Sequence, residues 1–259
     1  ARVRVLVLSD VIGDPLHDIA SGPCAADPTT QAEARAILET LDLSGAVRTR
    51  ARGVLADPAN ESLKPGDPAL AGVTHHVIAS NVIARQAAAR WCREAGARVV
   101  EREAPLLGDA ETAAVTLIDE ALALAAQHAG ALALVAGGET TVTLPKEQGA
   151  GFGGRNQHLA LRAALELDLR AARGELPRRV TLLSMATDGV DGVAPIGAVP
   201  AAGAVVDQHT LHDPDARAEA RERLGQCDSY AFFARRADAH LLTGPTGTNV
   251  NDVQVVWVE

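Results

Sequence analysis

The chain has 259 residues, 47% hydrophobic and 22% charged, a globular balance that excludes a disordered polymer. A net charge of −9 leaves no basic footprint for nucleic acid. With only 2% aromatic residues, the core must be built from Ala, Val and Leu, which suits helices packed on parallel strands.

Lys64 and Lys146 are the only lysines, so an anionic ligand must be met by arginines. Cys24, Cys92 and Cys227 are odd in number and scattered, which excludes a disulfide framework or a structural zinc site. Together with the lack of a signal peptide, this predicts a cytoplasmic protein. The most apolar stretch, 121–135, is interrupted by Gln127, His128 and Gly130. It reads as a helix end, a turn and a strand rather than a membrane span.

In chain order, an alternating-to-apolar strand over 3–8 opens the sequence without a lead-in, which predicts that residues upstream are missing. A helix is predicted over 29–41, with Thr29 or Thr30 as N-cap, and a loop over 64–68. A short strand at 77–79 runs into a helix from Ser80-Asn81 to about 95, stopped by Gly96. A strand over 97–101, a helix over 109–128 and a strand over 131–136 follow. This rhythm predicts an open α/β sheet, with a domain boundary near Gly130, where glycines and threonines begin to cluster. Ligands of such sheets sit beyond the carboxyl ends of strands. The loops after residues 8, 79, 136, 186 and 242 are therefore the site candidates.

Five segments carry the candidate chemistry. Gly149, Gly151 and Gly154 satisfy G-x-G-x-x-G formally, but 145–148 separate them from the strand, and no acidic residue ends a strand about twenty positions on. That argues against a dinucleotide site. The segment still places Gly153, Gly154, Arg155 and Asn156 at the start of a helix predicted over 156–169. Free N–H groups and an arginine fork there suit phosphate or carboxylate, a flexible turn with an exposed arginine being the alternative.

Gly137-Gly138-Glu139-Thr140 reads as a Gly-Gly turn whose N–H and hydroxyl groups suit an anion, or as a plain hairpin. Asp188 and Asp191 end the strand predicted over 180–186 and suit Mg²⁺, or only turn chemistry. Asp10, with Asp14, His17 and Asp18, follows the opening strand and suits a base, a metal ligand or simple caps. The polar loop 243–252, with Thr248, Asn249, Asn251 and Asp252, is long enough to favour a role in binding. Ser229-Tyr230 and Phe232-Phe233 predict a helix packed into the core. No G-x-x-x-x-G-K-[ST] loop is present.

The ordered set resembles the glycerate 2-kinase family with a MOFRL C-terminal domain. The segments that carry the likeness are 9–14, 19–23, 64–67, 137–142, 153–157, 187–192, 203–207, 228–230 and 243–252. The resemblance implies a Rossmann-like open sheet whose latter part is 1–130, then a MOFRL α/β domain over 131–259, with an active site in the cleft between. It implies γ-phosphoryl transfer from ATP to D-glycerate with Mg²⁺, giving 2-phosphoglycerate.

By the same resemblance Arg155, Asp188 and Asp10 are catalytic, with Arg155 stabilising the transferring phosphoryl group. Gly137, Gly138, Glu139, Thr140, Gly153, Gly154 and Asn156 would hold ATP. Asp191, Thr248, Asn249 and Asn251 would hold the substrate, and Asp188 and Asp191 the metal. Members of the family begin earlier, with a catalytic lysine and a Gly-Gly-Gly-Ser loop that this sequence lacks, so the chain corresponds to a C-terminal portion. The alternatives are a hydroxypyruvate reductase using NAD(P)H and a ligand-binding fragment without turnover. The oligomeric state, a homo-oligomer included, stays open.

Overall fold

A computed structural model describes residues 2–144, 151–212 and 214–259. The expectations for 145–148 and Gly149 fall outside the described residues. The chain divides into two compact units, one of residues 1–7 and 13–78, the other of 8–12 and 79–259.

The smaller unit contains most of a two-stranded sheet, β1 (Val3–Leu8) and β2 (Val73–Ala79), with helices α1 (Gln31–Thr40) and α2 (Gly45–Ala56). Thr30 and Glu33 close a reciprocal capping box at the start of α1, an arrangement of about 1 kcal/mol. Arg48 of α2 donates to the Leu41 carbonyl at 2.6 Å, tying the two helices at their turn.

The larger unit is built on one seven-stranded mixed sheet. Its strands are β3 (Arg98–Glu101), β4 (Leu106–Asp109), β5 (Leu132–Thr141), β6 (Val180–Ala186), β7 (Gly203–Asp207), β8 (His240–Leu241) and β9 (Asp252–Val258). The order is β3-β5-β9-β6-β7-β8, with β4 also alongside β5. β3 and β4 run parallel to β5, while β9 lies antiparallel between β5 and β6.

The two-residue period of β5 assigns its two faces. Leu134 and Ala136 pack in the main core with helices α4 (Ala110–Ala125) and α5 (Arg155–Ala172). Ala133 and Val135 join a second cluster with Ala89 and Cys92 of α3 (Asn81–Glu94) on the opposite side. Helices α6 (Pro214–Gly225) and α7 (Ser229–Phe233) complete the main core, where Phe232 and Phe233 are fully buried. The rest of the core is mostly Ala, Leu and Val, as the composition requires.

The sheet runs on across Gly130, with β3 and β4 paired to β5 and α4 packed on α5, and the two compact units part near residue 79. One expectation changes here. Gly137 and Gly138 are not a turn: β5 continues through them to Thr141, with Gly137 opposite Val253 and Gly138 opposite both Leu106 and Asp252. Glycine is needed at 138 because its φ is +153° and an added Cβ would overlap the Leu106 backbone.

Candidate active site

The ends of β5 and β6 and the start of α5 meet around a cavity of about 620 Å³. Leu107, Val142 and Val193 supply apolar wall, and Glu139, Thr140, Arg155 and Asp191 the polar groups. The Thr140 hydroxyl is buried without a hydrogen-bond partner among the described residues.

Arg155, the first residue of α5, is fixed by Asp252, the first residue of β9. Its Nε donates to Asp252 Oδ2 at 2.6 Å and its Nη2 to Oδ1 at 3.1 Å. Its Nη1 faces Glu139 Oε1 at 3.0 Å, and Asn251 Nδ2 donates to Glu139 Oε2 at 3.1 Å. Burial pushes the Asp252 carboxyl above its ordinary range, while Arg155 pulls it back. Two-pronged binding to a fully buried carboxylate leaves the guanidinium little freedom.

The chain of contacts extends to the loop after β1. The Asn251 N–H donates to Asn249 Oδ1 at 3.0 Å, and Asn249 Nδ2 donates to Asp10 Oδ2 at 3.3 Å. Thr187 accepts the Val250 N–H at 2.9 Å and donates to the Asn251 carbonyl at 2.7 Å. The Thr246 N–H donates to the Asp188 carbonyl at 2.9 Å, and its hydroxyl to the Thr187 carbonyl at 2.7 Å. The Thr248 N–H reaches that same Thr246 hydroxyl at 3.3 Å. The structure thus links Asp10, Glu139, Arg155, Asn249 and Asn251 in one run of hydrogen bonds closed by the Arg155–Glu139 ion pair, and ties Asp188 to the loop that carries Thr248.

Asp191 departs from expectation. Its Oδ1 accepts the Asn156 N–H at 2.9 Å and Asn156 Nδ2 at 3.2 Å. Its Oδ2 accepts the Gln157 N–H at 2.8 Å and Gln157 Nε2 at 3.1 Å. A carboxylate offers about four acceptor positions, and these four donors fill them. The main-chain N–H groups of Asn156 and Gln157, read as open to an anion, are therefore already paired with a carboxylate of the protein itself. Burial pushes the Asp191 carboxyl up to about 6, against the downward pull of these N–H bonds.

Gly154 is glycine for the same reason: a Cβ there would overlap the Asp191 backbone, so the close approach is to protein rather than ligand. Asn156 is buried, its Oδ1 accepting the Ser184 hydroxyl at 2.6 Å. Gly153 exchanges main-chain hydrogen bonds with Val193 at 2.7 and 3.0 Å. Asp188 is half-buried, with Oδ1 accepting the Val190 N–H at 2.9 Å.

Sequence reasoning did not foresee Asp252 as the partner of Arg155, or the buried polar set Ser184, Gln157 and His240. His240 Nε2 lies 3.2 Å from Gln157 Oε1, and burial holds its pKa below the usual histidine value. A signal for Ser184 existed: it alternates with the apolar Val180, Leu182 and Ala186 on the buried face of β6.

Fold and site together define an α/β protein with an arginine clamped at the edge of a cavity. Residues 132–252 match the MOFRL family, and residues 1–56 match a domain of unknown function, DUF4147. A glycerate kinase of Macaca fascicularis is 34% identical over 100% of this chain and 72% of its own length. The glycerate 2-kinase of Pyrococcus horikoshii is 34% identical over 98% of this chain and 55% of its own. A putative hydroxypyruvate reductase of Agrobacterium vitis is 36% identical over 100% of this chain and 55% of its own. The crystal structure of a glycerate kinase from Thermotoga maritima superposes with a TM-score of 0.79 at 34% identity, covering 100% of this chain and 57% of that one. This chain belongs to the glycerate kinase family, and it spans about half the length of most of the curated relatives it matches.

Proposed function

We propose that this chain supplies part of the active site of an ATP-dependent kinase, acting in the cytoplasm, that phosphorylates D-glycerate to 2-phosphoglycerate. The observation that carries the reading is the Arg155 guanidinium, held by buried Asp252 at the edge of the cavity. Phosphoryl transfer is catalysed mainly by positioning and electrostatics, and a pre-oriented guanidinium needs no reorganisation as charge develops on the transferring group. The name carried by the Pyrococcus horikoshii relative supports the 2-position.

Mg²⁺ commonly takes one or two carboxylates and otherwise substrate phosphates and water. Asp188, with one oxygen engaged by Val190, fits that role, whereas the filled acceptors of Asp191 do not. When bound, Mg²⁺ would neutralise charge on the nucleotide phosphates. Asp10 orients the glycerate hydroxyl, Asn249 and Thr248 line the substrate side, and Thr140 offers its free hydroxyl to the nucleotide.

The test incubates the protein with D-glycerate and MgATP, and separately with hydroxypyruvate and NADH. ADP and 2-phosphoglycerate are expected in the first mixture. NADH consumption with no ADP would replace this reading with the reductase one, which the name of the Agrobacterium vitis relative favours.

A further inference from the structure

Arg155 is contacted by two carboxylates of very different standing. The Asp252 side chain is 0% exposed and binds through two donors, at 2.6 and 3.1 Å. Pulling a buried carboxylate off its guanidinium would leave an uncompensated charge, which is strongly unfavourable. The Glu139 side chain is 45% exposed and reaches Arg155 through one nitrogen, at 3.0 Å. An exposed pair of that kind is worth only about 0.2–1 kcal/mol.

Charge makes the difference consequential. Arg155 contributes +1 and Asp252 with Glu139 −2, so the cluster is negative before any ligand arrives. An oxyanion meeting all three groups is repelled. It is accommodated once Glu139 rotates into water.

The geometry left behind fits the visitor. Glu139 uses one oxygen on Arg155 Nη1 and the other on Asn251 Nδ2 at 3.1 Å. Two donors that one carboxylate spans are two donors that a phosphoryl group or a carboxylate of the ligand can span. Asn251 is itself pinned, buried in the left-handed region at φ +63°, with its carbonyl on Thr187.

We propose that Glu139 is a displaceable internal anion, occupying the Arg155–Asn251 donor pair until an oxyanion of the ligand takes its place, while Asp252 is the fixed partner that positions the guanidinium. The inference rests on the reading that an oxyanion binds at Arg155, and it adds a competitor that tunes the affinity.

Binding to the 259-residue chain tests it without turnover. Wild type, Glu139→Gln and Glu139→Asp are titrated with inorganic phosphate, following the arginine Nε–H signals by NMR. Loss of the competing charge should tighten phosphate binding about 1.4- to fivefold in Glu139→Gln, the exposed-pair energy converted to an affinity ratio. Glu139→Asp, shorter by one methylene, should tighten it less. Adding Arg155→Ala to Glu139→Gln should abolish the gain.

Unchanged or weaker binding in both Glu139 variants overturns the proposal, as does phosphate saturating none of the proteins. Repeating the titration with MgATP and with D-glycerate separates the two sources of the oxyanion: the ligand whose affinity responds to Glu139→Gln is the one that displaces it. These shifts, with no ADP formed by an enzyme that holds the whole active site, keep the displacement and lose the kinase reading. A chain that forms ADP without the shifts does the reverse.

Discussion

Gln157 and Asp191 are joined three times: the Gln157 N–H and Nε2 both donate to Asp191 Oδ2, at 2.8 and 3.1 Å, and Nε2 also reaches the Asp191 carbonyl at 3.3 Å. The first turn of α5 is thus set by a residue on the loop after β6. Arg155 is one residue ahead of the pair bonded to Asp191, so its position depends on the same anchor.

Asp191→Ala removes both carboxylate oxygens at once and leaves the buried N–H groups of Asn156 and Gln157 unpaired. Each orphaned buried donor costs about 1–3 kcal/mol, so a loss of about 3 kcal/mol is expected in urea unfolding. A change under 1 kcal/mol would mean that other groups take over these donors.

The same carboxyl gives a pH signature. Its pKa is about 6 in the folded protein against 3.8 as the ordinary value. Between those values the folded state keeps a proton that the unfolded chain has released. The Asp191 contribution therefore stabilises the fold as pH falls from about 6 towards 4, by about 1.4 kcal/mol per unit and up to about 3 kcal/mol. Asp191→Asn has no such proton, so wild type should gain on this variant across that window. Urea midpoints of the two proteins at several pH values measure the gap, and a constant gap would reject the expectation.

What could be read in advance follows the range of the interactions. The start of α1 was legible because Thr30 and Glu33 are three residues apart, and β6 because five of its seven residues are apolar. Helix α2 was not, since 45–56 bury no residue and leave no stripe for the periodicity to register. Gly137-Gly138 looked like a turn because what forbids a side chain there, the backbones of Leu106 and Asp252, is remote in sequence. In the same way Arg155 was visible as the arginine before a helix, while its clamp on Asp252, 97 residues away, was not.

Arg155→Ala in the protein that carries this chain should lower kcat by at least about 100-fold, the scale of losing one transition-state donor. Arg155→Lys keeps the charge but cannot place two donors on Asp252, so it should recover only a small part of the rate. A near-normal kcat in Arg155→Ala would remove this residue from the mechanism.

Gly138→Ala tests whether the sheet, rather than a flexible loop, carries Glu139 and Thr140. At φ +153° and against the Leu106 backbone, a methyl group must push β4 away from β5. Overpacking of this kind costs about 1–3 kcal/mol, so the thermal midpoint should fall by several degrees. Because Gly138 also faces Asp252 across β9, the shift should reach the Arg155 clamp and weaken ligand binding along with stability. Gly130→Ala is the control: its φ of +98° is also unfavourable for alanine, but its added Cβ meets no atom within 4 Å. It should lose stability from backbone strain alone and leave ligand affinity unchanged. Equal losses of affinity in the two variants would show that general destabilisation, not the β4–β5 contact, governs the site.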